Sequence, residues 1–209
     1  VEPVVAQPID TYVWTVEEPV IPYSSAVGDE QTELYLDTLD RQLRLIGQEA
    51  NREAPNAVVE AVRDKGVSGF LGYRVNDIHD RRFPEVRRRF KLDHPEYLIG
   101  GGYPSEDENT SFEATRSALD FARPEVRRHK LDFIDSMLSA YPHDGLMLDF
   151  LRHAFYFAPR DMEKGWELLS DFVSKVHEML CGKPLWVRVP TDFSVARWFG
   201  MDLRAWVGR

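Results

Sequence analysis

Two polar clusters each follow a short apolar run. Leu146-Met147-Leu148 leads into Asp149, with Arg152 and His153 within four residues of it. Val67 to Tyr73 leads into Arg74, Asn76, Asp77, His79 and Asp80. Carboxylates beside Arg and His are the residue types of acid–base and nucleophilic chemistry. Asp77, His79, Asp149 and His153 also offer hard oxygen and imidazole ligands, so a metal-dependent hydrolase is an alternative. No His-x-His pair or His-Glu-x-x-His occurs, and neither a metal nor a cofactor is expected. Arg74, Arg152 and Arg188 fall at or near strand ends. Their planar guanidiniums suit carboxylate or sulfate groups on a ligand. They suit internal pairing with Asp77, Asp120 and Asp149 equally well, and the sequence leaves both uses open. Asp120 is either a further rim carboxylate or a partner that fixes Arg123 or Arg152.

These clusters need elements to position them. Asp10 to Val16 is rich in β-branched and aromatic residues and reads as a strand. Residues 17–29 carry Pro19, Pro22 and Gly28 and read as a loop; 31–49 have helical apolar spacing. Pro55 opens a second helix that Lys65-Gly66 stops. Val67 to Tyr73 is the second strand. The Arg87–Arg89 run reads as a solvated helix face, and His94-Pro95 as a helix start. Gly100 to Thr110 is a polar loop. Ala118 to Phe121 is expected as a short third strand. Pro124 starts a helix with Val126, Phe133, Ile134, Met137 and Leu138 inward. Leu146 to Leu148 is the fourth strand, and it fits a parallel strand covered on both faces. Asp161 to Leu180 is the clearest amphipathic helix. Leu185 to Val189 is the fifth strand, followed by two short helical pieces around 195–199 and 203–207.

Strands and helices alternate, which argues for a parallel α/β architecture. No Gly-x-Gly-x-x-Gly turn or P-loop follows any strand, so a nucleotide fold is disfavoured. Strands that end in charged residues resemble the rim of a (β/α)8 barrel, where catalytic groups sit at the C-terminal strand ends. About five such units are expected in the chain's 209 residues, short of the roughly 250 of a complete barrel. The expected organisation is an N-terminal arm or linker over residues 1–9 and a partial barrel domain over 10–209.

The net charge of −9 argues against a nucleic-acid partner, which usually meets a basic surface. No apolar run approaches the ~20 residues of a membrane span. The chain begins at Val1 without an initiator Met or a signal pattern, so it is expected to have been processed or cut. The single cysteine, Cys181, is expected to be buried or inert rather than a nucleophile.

The order of motifs resembles a family. It runs Arg74-x-Asn76-Asp77-x-His79-Asp80, His94-Pro95-Glu96-Tyr97-Leu98, Leu119-Asp120-Phe121-Ala122-x-Pro124-Glu125-Val126-Arg127, Asp144-Gly145-x-x-Leu148-Asp149-Phe150-x-Arg152-His153, Val187-Arg188-Val189-Pro190 and Gly200-x-Asp202-Leu203-x-x-Trp206. This is similar to bacterial glycosyl-hydrolase-like, family-10-like proteins with a TIM-barrel domain, over roughly residues 10 to 207. The resemblance implies a protein that acts on or binds carbohydrate. Glycoside hydrolysis needs two carboxyl groups across the scissile bond. Asp149 is then the expected nucleophile or base and Asp77 its partner. Asn76, His79, Arg74, Asp120, Arg152, His153 and Arg188 are expected to position a poly- or oligosaccharide, including an anionic one. Tyr12 and Trp14 alternate with Val13; either ring can stack on a sugar, and barrel packing suits at least one of them. A non-catalytic carbohydrate-binding barrel is the other alternative. Polysaccharide chemistry leans towards an exported, periplasmic or extracellular protein, while the oligomeric state is open.

Overall fold

The computed structural model describes residues 9–16, 56–78, 80, 88–102 and 113–207. The expected arm, the helix over 31–49, the loops over 17–29 and 103–110, and His79 lie outside the described residues. The elements in order are β1 (Thr11–Val16), helix α1 over 56–63, β2 (Ser68–Arg74), α2 (Arg89–Asp93), α3 (Pro124–Ala140), β3 (Gly145–Asp149), α4 (Met162–Met179), β4 (Leu185–Arg188), α5 (Phe193–Trp198) and α6 (Leu203–Trp206).

The strands form one parallel four-stranded sheet in the order β1-β2-β3-β4. Every strand lies beside its sequence neighbour. Strands of a (β/α) barrel follow one another in this way, whereas a doubly wound sheet reverses its order at a switch point.

One face of the sheet packs on helices. A side chain at Gly69 would meet Val59 and Val62 of α1, and Tyr73 stacks on Phe133 of α3 with ring centroids 5.2 Å apart. Side chains alternate along a strand, so Leu71, Leu146, Leu148, Leu185 and Val187 share that face. In α3, Val126, Phe133, Ile134 and Met137 are buried at helical spacing, and Leu138 is half-buried. Leu169, Phe172, Val173 and Val176 of α4 complete the core. The opposite face carries Val13, Thr15, Phe70, Gly72, Met147 and Trp186.

The N-terminal ends of the strands are tied by Asp144. Its carboxylate pairs with Arg63 of α1 at 2.6 Å and accepts the Gly69 N–H at 2.8 Å.

The segment expected as a third strand is not in the sheet. Leu119 makes a single antiparallel bridge to Leu98. The neighbouring amides bond elsewhere: Ile99 N–H to the Ala118 carbonyl, Asp120 N–H to Tyr97, and Phe121 N–H to Tyr156. A run of four apolar residues has the composition of a buried strand, but here local loops and a side-chain amide take its backbone groups. Among the described residues, the excursion between β2 and β3 adds no strand to the sheet, and the chain returns to it through α3.

Two further expectations change. Of the Arg87–Arg89 run, Arg88 is buried rather than solvated, Arg89 is exposed, and Arg87 lies outside the described residues. Of the two alternatives for Cys181, buried or inert, the first falls: it is exposed on the turn after α4, in the left-handed region at φ 50°.

Candidate functional site

The last residues of β2, β3 and β4 lie side by side. Arg74 is the register partner of Asp149, and Asp149 of Arg188. This rung stands at the C-terminal end of the sheet, on the face away from the helices. Asp149 is fixed by three donors. Its Oδ1 accepts the backbone N–H of Leu151 at 2.9 Å and of Arg152 at 3.0 Å. Its Oδ2 accepts Arg188 Nη1 at 3.0 Å. The carboxylate thus closes the turn after β3 and holds the guanidinium of the next strand. Behind it, the fully buried Tyr156 hydroxyl donates to the Phe150 carbonyl at 3.0 Å. Burial, and then the Asp149 charge, raise the Tyr156 pKa well above the usual phenol value, so it stays protonated.

Asp77 follows β2 and is buried. Arg74 Nη1 lies 3.7 Å from its Oδ2. Arg74 is thus the ion-pair partner of Asp77 and, through the backbone ladder, the register neighbour of Asp149. The Asp77 turn is held by Lys91, whose side chain is 2% exposed. Lys91 Nζ donates to the Asp77 carbonyl at 2.9 Å and to Asp80 Oδ2 at 2.8 Å. Burial lowers the Lys91 pKa, and the Asp80 charge opposes that shift.

Asn76 belongs to the fold rather than to a ligand. Its amide nitrogen donates to the carbonyls of Leu119 at 2.9 Å and Phe155 at 2.6 Å, and its oxygen accepts the Leu119 N–H at 3.1 Å. Those bonds use both of its N–H groups, so the expectation that it binds sugar hydroxyls is corrected.

Tyr12 and Trp14 are corrected too. Their register partners are Gly69 and Leu71, which places them on the helix-packed face, and Trp14 packs against the core. Neither ring shares a face with Asp149. Two aromatic residues of the described sheet do: Phe70, which is buried, and Trp186, the register partner of Met147 and 44% exposed. The signal for it was in the sequence: Trp186 and Arg188 alternate across Val187, so one strand face carries both. For Lys91 no sequence signal separates a buried ammonium from its exposed neighbours.

Asp120 is buried. Its Oδ1 accepts the Ala122 N–H at 3.0 Å. Burial pushes its carboxyl above the usual range, Asp161 adds to this, and Arg123 and Arg160 pull it back. His153 is half-buried and the residue Arg152 is exposed, both in the turn after β3. Among the described residues, no three His, Cys, Asp or Glu side chains converge as a metal site requires. No described helix is long and apolar enough to cross a membrane.

No family model matches the chain, and no curated protein matches it. Solved structures similar to it include an α-galactosidase from Geobacillus stearothermophilus in complex with stachyose, at 12% identity, 70% of this chain, 21% of that one and a TM-score of 0.47. An α-amylase from Geobacillus thermoleovorans complexed with acarbose is similar at 16% identity, 73% of this chain, 33% of that one and a TM-score of 0.45. The glycoside hydrolase domain of PelA from Pseudomonas aeruginosa is similar at 20% identity, 63% of this chain, 47% of that one and a TM-score of 0.44. The chain thus spans less than half the length of each of these three. The functional reading rests on the geometry of the rim.

Proposed function

We propose that the rim of Asp149, Asp77, Arg74 and Arg188 is the substrate site of a carbohydrate-active hydrolase built on a (β/α)-barrel-type sheet. The observation that carries this reading is the charged rung Arg74–Asp149–Arg188. It lies at the C-terminal ends of three consecutive parallel strands, on the face turned away from the helices, where barrel enzymes carry their catalytic groups. Asp149 acts as nucleophile or base, its orientation set by two backbone N–H groups and Arg188. Asp77 is the second carboxyl that glycoside hydrolysis requires. Arg74 pairs with Asp77 and stands beside Asp149 in the same rung of the sheet.

A second reading is a non-catalytic carbohydrate-binding sheet. It is favoured by the three donors already on the Asp149 carboxylate.

Release of reducing sugar from a panel of neutral and anionic polysaccharides separates the two. Asp149→Asn keeps a carbonyl oxygen for the turn amides and removes the charge. Hydrolysis by the parent chain is expected to drop at least ~100-fold in this variant, the scale of losing one acid–base group. Undiminished release by Asp149→Asn would remove Asp149 from the chemistry. Binding of the panel without release from either protein would establish the second reading.

A further inference from the structure

Two side chains of β4 share the face of Asp149, namely Trp186 and Arg188. Arg188 donates Nη1 to Asp149 Oδ2 at 3.0 Å, and its side chain remains 55% exposed. Asp149 is its partner among the described residues. A guanidinium carries five N–H donors in a rigid fork, so most of the fork is open towards solvent. Arg74 differs, because it is mostly covered and paired with Asp77.

Trp186 sits one rung further into the sheet. Its ring leans on Phe70, with centroids 4.6 Å apart and an interplanar angle of 42°. Gly145 allows that contact: a Cβ there would stand 2.5 Å from the Phe70 ring and 2.7 Å from the Pro184 carbonyl. The indole is thereby braced from below. Two positions apart on one strand face is about 7 Å, the reach of one pyranose ring with its exocyclic group.

We infer that Trp186 and Arg188 form a subsite for an acidic sugar unit, with the ring stacked on the indole and its anionic group held by the guanidinium. A carboxylate or a sulfate oxygen pair matches the fork in two parallel hydrogen bonds. The flat indole matches the apolar face of a pyranose. This inference rests on the carbohydrate reading of the rim and names the class of sugar that the rim selects.

The test is calorimetric binding, which reads the subsite whether or not turnover occurs. Oligouronates are compared with their carboxyl-reduced counterparts, and sulfated oligosaccharides with their desulfated ones. The parent chain is expected to bind at least one anionic member about tenfold or more tightly than its neutral counterpart, the scale of a charge-assisted hydrogen bond. The pair that shows the preference identifies the anion as carboxylate or sulfate. Arg188→Gln is expected to abolish the preference. Arg188→Lys keeps a cation beside Asp149 and is expected to retain part of it. Trp186→Ala is expected to weaken anionic and neutral members alike. Asp149→Asn is expected to keep the preference, which separates loss of the fork from loss of the ion pair. Equal binding of charged and neutral members, or a preference that survives Arg188→Gln, would overturn the inference and leave the carbohydrate reading standing. Absence of binding and of hydrolysis across the panel would overturn both.

Discussion

Truncating Asn76 to alanine removes three hydrogen bonds and strands backbone groups of Leu119 and Phe155 in a buried place. Each orphaned buried group costs about 1–3 kcal/mol. Asn76→Ala is therefore expected to lower stability by roughly 3 kcal/mol or more, read as a shift in the urea midpoint at constant slope. Asn76→Asp keeps the acceptor, loses both donors, and is expected to fall nearly as far. A loss within experimental error would show that the amide is not holding the rim together. At this scale the sequence showed residue type and position, but not pairing. Asp149 and Arg188 are separated by 39 positions, and register alone brings them into contact. Arg152, the partner suggested by proximity along the chain, contributes its backbone N–H to the same carboxylate. Asn76 stands in a polar cluster, and nothing in that cluster reveals that a distant backbone takes up its amide.

The excursion between β2 and β3 packs α2 on α3 through a ring cluster. The His129 imidazole lies flat on Phe90, with centroids 3.8 Å apart and planes 1° apart. Burial, with the charges of Lys130, Arg88 and His94, pushes its pKa from 6.5 down to about 3. The unfolded chain takes up this proton near 6.5 and the folded chain does not. The stability that the neutral ring contributes is thus present above 6.5 and is lost progressively as pH falls from there towards 3. His129→Phe preserves the stack and cannot titrate. It is expected to give a shallower decline in unfolding free energy over that window, measured by denaturant titration at a series of pH values. Parallel curves for parent and variant would show that His129 does not carry this dependence. The helices around this cluster were legible, because Pro124 and the spacing of Val126, Phe133, Ile134 and Met137 follow a helical period. The segment over 118–121 was not, since a short apolar run looks the same whether it joins a sheet or crosses a loop. Alternation in β1 groups Tyr12 with Trp14, yet it does not say which face meets the helices.

The described sheet has two inner strands and two outer ones. The carbonyls of Pro184, just before β4, and of Arg188 accept the amides of Leu146 and Phe150. By alternation the amides of Leu185 and Val187 point away from β3, towards the edge of the described sheet. Amide exchange is expected to be slowest in β2 and β3 and fast at Leu185 and Val187. Protection of those two amides equal to that of Leu146 and Leu148 would show that another strand covers β4. The α/β class and the parallel strand order follow from the alternation of elements, and the structure bears out both. The barrel-type closure remains part of the proposal. Among the described residues the sheet has four strands rather than the expected five, because the apolar run over 118–121 lies outside it.

The strand order also bears on how the molecule can be made. Because each described strand lies beside the one before it in sequence, none of them has to enter between two that are already joined. A chain emerging from the ribosome can add each strand to a waiting edge, in the order of translation. The tie between Asp144, Arg63 and the Gly69 amide then serves as an assembly check. Its Gly69 bond joins the residue before the third strand to the second strand, so it completes as the third strand settles beside the second.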